Sequence, residues 1–333
     1  MSRLMKRALC LALVGAVWLG ASSAPAEAGS ITLADLKFGV VNRAEDDDFE
    51  FLINAGGTVG SPGYDVSHST VPGGTHTVTG DTTAGVGDFI VGMIRFTALY
   101  APPGNLVASA GPNERTFVGI FALKVTSTTE GNLFGVPHPI RLTNASVAEW
   151  TALGLPLIPA NEGTAIMVFD DLDNINATVS DGPDAGDENF AEALATVGGT
   201  KLYELGFTGD PDEFWRATGP TGPFAAGYST VASLGSFNAA VGVVARFNGA
   251  PELADIGPPF VTDENISTGD GKAKIAINGD VLGSGSQHGS FPVITDTDVF
   301  FMPVPEPASI VLFALGGLGV IGFGRRRLKV QAA

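Results

Sequence analysis

The sequence predicts a mainly β fold, most simply a β-sandwich-like ectodomain with a few short helices, set between an N-terminal signal helix and a C-terminal transmembrane helix. Two observations carry the β assignment. The strongest periodic segments are short, apolar and rich in β-branched or aromatic residues: 89–99, 117–126, 165–169, 240–247, 272–278 and 299–302. Turn residues punctuate the chain at Gly56-Gly57, Pro102-Pro103-Gly104, Gly198-Gly199, Pro258-Pro259 and Asn278-Gly279. A third observation sets the flanks: an apolar run bordered by a basic cluster stands at each end.

Residues 1–28 read as a removable signal peptide. Arg3, Lys6 and Arg7 form a basic start, Ala8 to Leu19 an apolar stretch, and Ala21 to Gly29 a small-residue exit. Ala26 and Ala28 supply the small side chains that a signal peptidase pocket accepts, which places cleavage before Gly29, with Ala24-x-Ala26 as the alternative. The single cysteine, Cys10, leaves with the leader, so the mature chain has neither a disulfide nor a thiol nucleophile.

The 333 residues include 18 Lys and Arg against 35 Asp and Glu, a net charge of −17. Seven of the basic residues lie at the two ends, so residues 29–324 carry −23. That balance excludes a nucleic-acid partner, because neutralising phosphates needs clustered Lys and Arg. It favours solubility and repels anionic polymers. Length and an apolar content of 44% suit a folded chain, either one ectodomain over 29–303 or two subdomains within it.

Within that region, 89–96 and 117–125 are nearly continuous apolar runs, suited to central strands covered on both faces. Lys272 to Asn278 alternates and is expected to show one face to water. Three short helices are expected: Ser146 to Glu149 forms a capping box, Asp210-Pro211-Asp212-Glu213 offers an N-cap with proline at the first position, and Asp187 is placed to cap 188–196. Glu45-Asp46-Asp47-Asp48 reads as a solvated turn, since contiguous like charges repel. Residues 56–87 are polar and glycine-rich, and are expected to hide short strands.

Little catalytic chemistry is written in the chain. His68, His76, His138 and His288 are scattered through polar loops, and no H-E-x-x-H, G-x-S-x-G or Gly-Lys-Ser/Thr phosphate loop occurs. Carboxylates are too numerous for a glycosidase acid and nucleophile to be singled out, so the expectation is a protein that is not an enzyme. The best metal candidates are Asp170, Asp171 and Asp173 after an apolar strand, and Asp181, Asp184 and Asp187 in the loop beyond. Hard oxygen ligands at strand ends suit calcium, while Asx turns and solvation account for the same residues without an ion. For Tyr203, Phe207, Trp215 and Tyr228, sugar stacking on a sheet face and core packing both stand open.

Toward the C-terminus, Pro305 and Pro307 bar helix and leave Val304 to Ser309 as an extended, accessible stem. Ala308 to Gly324 then runs 17 residues without a charge. As a helix that is about 25 Å, slightly short of a hydrocarbon core of about 30 Å but within the usual range of membrane spans. Arg325, Arg326, Arg327 and Lys329 come next and stay cytoplasmic, which puts the acidic middle outside. Pro305-Glu306-Pro307, a short Gly-rich apolar helix and Arg325 to Arg327 together resemble the PEP-CTERM sorting signal of Gram-negative bacteria, over residues 304–333. The resemblance implies recognition by an exosortase, a membrane-embedded cysteine transpeptidase. It further implies a surface or extracellular-matrix protein, structural or adhesive among extracellular polysaccharide. It is silent on the fold of the middle, for which a secreted carbohydrate-binding or glycan-hydrolysing domain, stabilised by calcium, is the alternative.

Overall fold

The computed structural model describes residues 29–53, 55, 66–67, 77–78, 86–102, 104–111, 114–127, 140–171, 197, 199–218, 235–261, 269–283 and 293–305. Their strands are β1 (Asn42–Ile53), β2 (Val66–Ser67), β3 (Thr77–Val78), β4 (Phe89–Tyr100), β5 (Leu106–Ser109), β6 (Thr116–Ser127) and β7 (Ile140–Asn144). Further along are β8 (Thr164–Asp171), β9 (Thr200–Gly206), β10 (Phe214–Thr218), β11 (Gly235–Arg246), β12 (Glu252–Ala254), β13 (Ile275–Gly283) and β14 (Val293–Val304). One helix, α1 (Val147–Ala152), lies between β7 and β8. Strands β2 and β3 pair only with each other, and the other twelve form one sheet.

That sheet closes on itself. Passing from β1 through β4, β6, β8, β9, β11, β13 and β14, every neighbour is antiparallel and hydrogen-bonded, and β14 pairs back to β1. The expected sandwich is therefore corrected to an eight-stranded barrel. Alternation of apolar residues is the same in both architectures, and only the pairing of the last strand with the first separates them. At eight strands the interior is narrow enough for side chains to fill it. Ile94, Phe117, Phe121, Leu205, Val241 and Phe301 belong to that inner core.

Two strand pairs share the position between β6 and β11. Along one edge of β6, Thr116 to Phe121 pair with β8, and Leu123 to Ser127 pair with β7. On β11, Gly242 to Arg246 pair with β9, and Ser236 to Ala240 pair with β10. Because β7 also pairs with β10, the barrel has eight strands at both levels, through β8/β9 at one and β7/β10 at the other. The change of partner falls on Gly242, opposite Gly206.

β4 and β6 are buried on both faces, as their continuous apolar runs predict. Their inner residues fill the barrel, and their outer residues, among them Val91, Met93, Val118 and Ile120, pack with Met167, Trp150 and Leu153 into a second core. α1 supplies that cover. Ser146 accepts the Glu149 N–H at 3.2 Å while Glu149 accepts the Ser146 N–H at 2.8 Å, so the capping box is present. Burial alone would raise the Glu149 pKa, but Lys124 and the Ser146 N–H and hydroxyl outweigh it and hold the carboxyl below the ordinary glutamate range. The capped turn delivers Trp150, fully buried, onto the sheet.

Three local expectations are corrected. Asp210 to Glu213 form a turn rather than a helix, because Glu213 bends back to accept the Gly209 and Asp210 N–H groups and β10 begins at the next residue. Glu45 to Asp48 lie within β1, where the Thr297 N–H and hydroxyl donate to the buried Asp46 carboxylate. Asn278-Gly279 lies inside β13 and is paired on both sides instead of turning. Residues 188–196, the remaining expected helix, lie outside the described residues, as do 56–65.

Candidate functional site

β14 ends at the barrel rim, and the end of the barrel from which it exits is termed proximal. The start of β1, the ends of β4 and β8, and the starts of β9 and β13 lie at the same end, since Asn42 and Ile275 both pair with Phe301. The opposite, distal end joins β1 to β4, β6 to β7, β10 to β11 and β13 to β14. All four histidines lie outside the described residues.

The proximal end is tightly tied. Residues 29–36 cross it: the Gly29 N–H donates to the Ser109 carbonyl at 3.1 Å, the Ile31 N–H to the Arg115 carbonyl at 2.8 Å, and Ile31 and Leu36 are buried in the inner core. Beneath them an apolar cavity of about 50 Å³ remains, lined by residues such as Leu33, Phe96, Leu202 and Phe301. Arg43 bonds Glu45 at 2.6 Å and Asp298 at 3.2 Å and lies 4.4 Å over the Tyr100 ring, joining β1, β14 and β4. Burial and the bond its hydroxyl donates to Glu45 raise the Tyr100 pKa.

Two clips hold the last residues of β14. β12 pairs Glu252 with Val304 and Leu253 with Pro303, and the Gly39 N–H donates to the Pro303 carbonyl at 2.8 Å. Pro305, the next residue, is exposed. The described chain thus passes in one step from a paired strand to an exposed proline. Residues 303–327 match the PEP-CTERM protein-sorting motif.

The chain carries a PEP-CTERM protein-sorting motif. No curated protein and no solved structure matches it. The motif implies an exported protein, processed by an exosortase and transiently anchored in the membrane before processing. Its first two residues, Pro303 and Val304, are the last two of β14. Glu306, Pro307, Arg325, Arg326 and Arg327 lie outside the described residues, as do Ala26 and Ala28 of the expected leader. Among the described residues no helix is long and apolar enough to cross a membrane, and 308–324 are not among them.

Of the calcium candidates, Asp170 and Asp171 are described, and both are buried at the proximal end of β8. Arg115 donates from Nε and Nη2 to the two oxygens of Asp170, each at 2.7 Å, and that pairing raises the Arg115 pKa. Both Asp170 oxygens are therefore already engaged by a cation. Asp173, Asp181, Asp184 and Asp187 lie outside the described residues.

The aromatic residues considered for sugar stacking serve the core where they are described. Tyr203 is buried and donates its hydroxyl to the Pro251 carbonyl at 2.6 Å, and burial pushes its pKa up. Trp215 stacks on Phe237 inside the barrel at 6.1 Å between centroids, and Phe207 packs against the same core. Tyr228 lies outside the described residues. The sequence did not single out Glu204, a fully buried carboxylate that accepts the Ala160 N–H at 2.8 Å, Asn161 Nδ2 at 2.6 Å and Lys201 Nζ at 2.6 Å.

Proposed function

We infer that the chain is a non-enzymatic surface or extracellular-matrix protein, structural or adhesive among exopolysaccharide, which an exosortase cuts from its membrane anchor. The observation that supports this is the junction at Val304-Pro305. Every pairing of β14 lies upstream of the exposed proline, so a cut in the stem releases the closed barrel with no strand removed. The structural role is supported by how buried charges are used: Asp46 ties β1 to β14, Asp170 holds Arg115, and Glu204 holds the residues that lead into β8.

Mass spectrometry of the surface-released protein tests the processing. The expected form begins at Gly29 and ends within the Pro305-Glu306-Pro307 stem. Released protein that still contains Arg325 to Arg327 defeats the assignment. A glycan array combined with a reducing-sugar assay tests the rest: binding without product indicates a lectin-like domain, and product indicates a hydrolase.

A further inference from the structure

We propose that the turn Phe38-Gly39-Val40 at the proximal end of the barrel is a lipid-contact tip, resting in the bilayer interface while the chain is anchored. The proposal depends on the anchoring that the sorting motif implies. Phe38 is 49% exposed and Val40 37%. Scattered exposed apolar residues are ordinary, so their position and their support decide the matter. The position is the exit of the chain, since the Gly39 N–H is bonded to the Pro303 carbonyl, two residues before the exposed Pro305. From Pro305 to the first residue of the apolar run, Ala308, three residues span at most about 11 Å when extended. An anchored chain therefore holds this end against the membrane, and the distal end away from it.

The support is a buried asparagine. Asn42 is fully buried; its Nδ2 donates to the Lys37 and Val40 carbonyls at 2.8 and 3.0 Å, and its Oδ1 accepts the Lys37 N–H at 3.0 Å. These bonds brace the turn from both sides while its side chains face outward. Gly39, at φ +74°, allows the reversal, and no atom of the described residues lies within 4 Å of where its Cβ would be. Lys37 is exposed beside Phe38, the pairing of a cation with an apolar ring that suits the headgroup boundary. Leu106, 49% exposed, opens β5 at the same end, where it pairs with Tyr100.

The test uses the full chain with Cys10→Ser, which leaves no other thiol, carrying Phe38→Cys or Val40→Cys labelled with an environment-sensitive fluorophore. Val86→Cys is the control, 66% exposed at the distal end. In phosphatidylcholine vesicles containing a doxyl lipid, labels at 38 and 40 are expected to be quenched by the lipid and several-fold less by aqueous iodide than the label at 86. Circular dichroism confirms that each variant is folded. Equal iodide quenching at 38, 40 and 86 in chains that float with the vesicles overturns the proposal and leaves the anchoring intact. Chains that fail to float overturn both. Shielding that needs exosortase in the membrane identifies the enzyme as the partner and overturns the lipid contact.

Discussion

Replacing Glu204 by glutamine isolates the contribution of a buried carboxylate to the barrel. The two oxygens of Glu204 accept from Ala160, Asn161, Lys201 and, at 3.3 Å, the Thr164 hydroxyl. An amide offers one oxygen and turns an NH₂ toward donors, so at least two of those groups lose their acceptor. Hydrogen bonds to a charged group contribute about 1.5–3 kcal/mol each. Lys201 retains 23% exposure and re-solvates in part, which sets the expected loss near 3 kcal/mol, at the lower edge for a broken buried pair. Urea unfolding of the released protein reads this as a lower midpoint at unchanged slope. The pH dependence has a definite sign. Burial alone would raise the Glu204 pKa, but Lys201, the Ala160 N–H and Asn161 outweigh it and hold the carboxyl below the ordinary glutamate range. A depressed native pKa contributes stability above the unfolded value of about 4.3, lost as pH falls through the native value. The difference between wild type and Glu204→Gln should thus narrow below about pH 4. A gap under about 1 kcal/mol at neutral pH, or one that does not shrink in acid, refutes the reasoning.

Other perturbations separate the remaining contributions. Trp150→Ala should cost about 3–5 kcal/mol by opening a cavity under α1, seen as a melting temperature lower by roughly 10 °C. Trp150→Phe should recover most of that, because the buried indole Nε1 has no hydrogen-bond partner among the described residues to lose. Gly206→Ala should prevent folding while Gly242→Ala only weakens it, as judged by soluble yield and urea midpoints. At 206 the added carbon overlaps the Gly163 carbonyl and comes within 2.6 Å of the Ala165 nitrogen, both backbone, whereas at 242 it meets only side chains, those of Glu213 and Thr208. Millimolar calcium should raise the melting temperature if the β8–β9 aspartates bind it, and Asp171→Ala with Asp173→Ala should remove the gain; equal curves in calcium and chelator refute an ion at the end of β8.

What the sequence disclosed depended on the range of the interaction responsible. The capping box at Ser146 is legible because its two bonds join residues three apart. β4 and β6 are legible because burial on both faces leaves 89–94 and 117–123 without a polar side chain. β1 was concealed by its acidic run, whose Asp46 is satisfied by Thr297, 251 residues away. Asn278-Gly279 has the composition of a turn, yet Asn278 is paired with both Asn238 and Asp298, and long-range pairing overrides local preference. Barrel closure is the same kind of fact, decided where β14 meets β1. At the candidate site the sorting motif was readable for the opposite reason: a processing enzyme meets the stem as linear chain. Glu204 gave no local signal, since two of its donors lie more than 40 residues away.

The placement of β14 determines how the protein bears load. β14 is hydrogen-bonded along both edges, to β1 through Asn42 to Glu50 and to β13 through Ile275 to Gly283, and its C-terminal end is the tether. Tension applied between an anchored tail and the distal end of the barrel runs along that strand. Its ladder bonds are then sheared together instead of being peeled open one after another. A barrel hung by its central closing strand resists pulling as a unit, as a protein held to a cell by one stem must until that stem is cut.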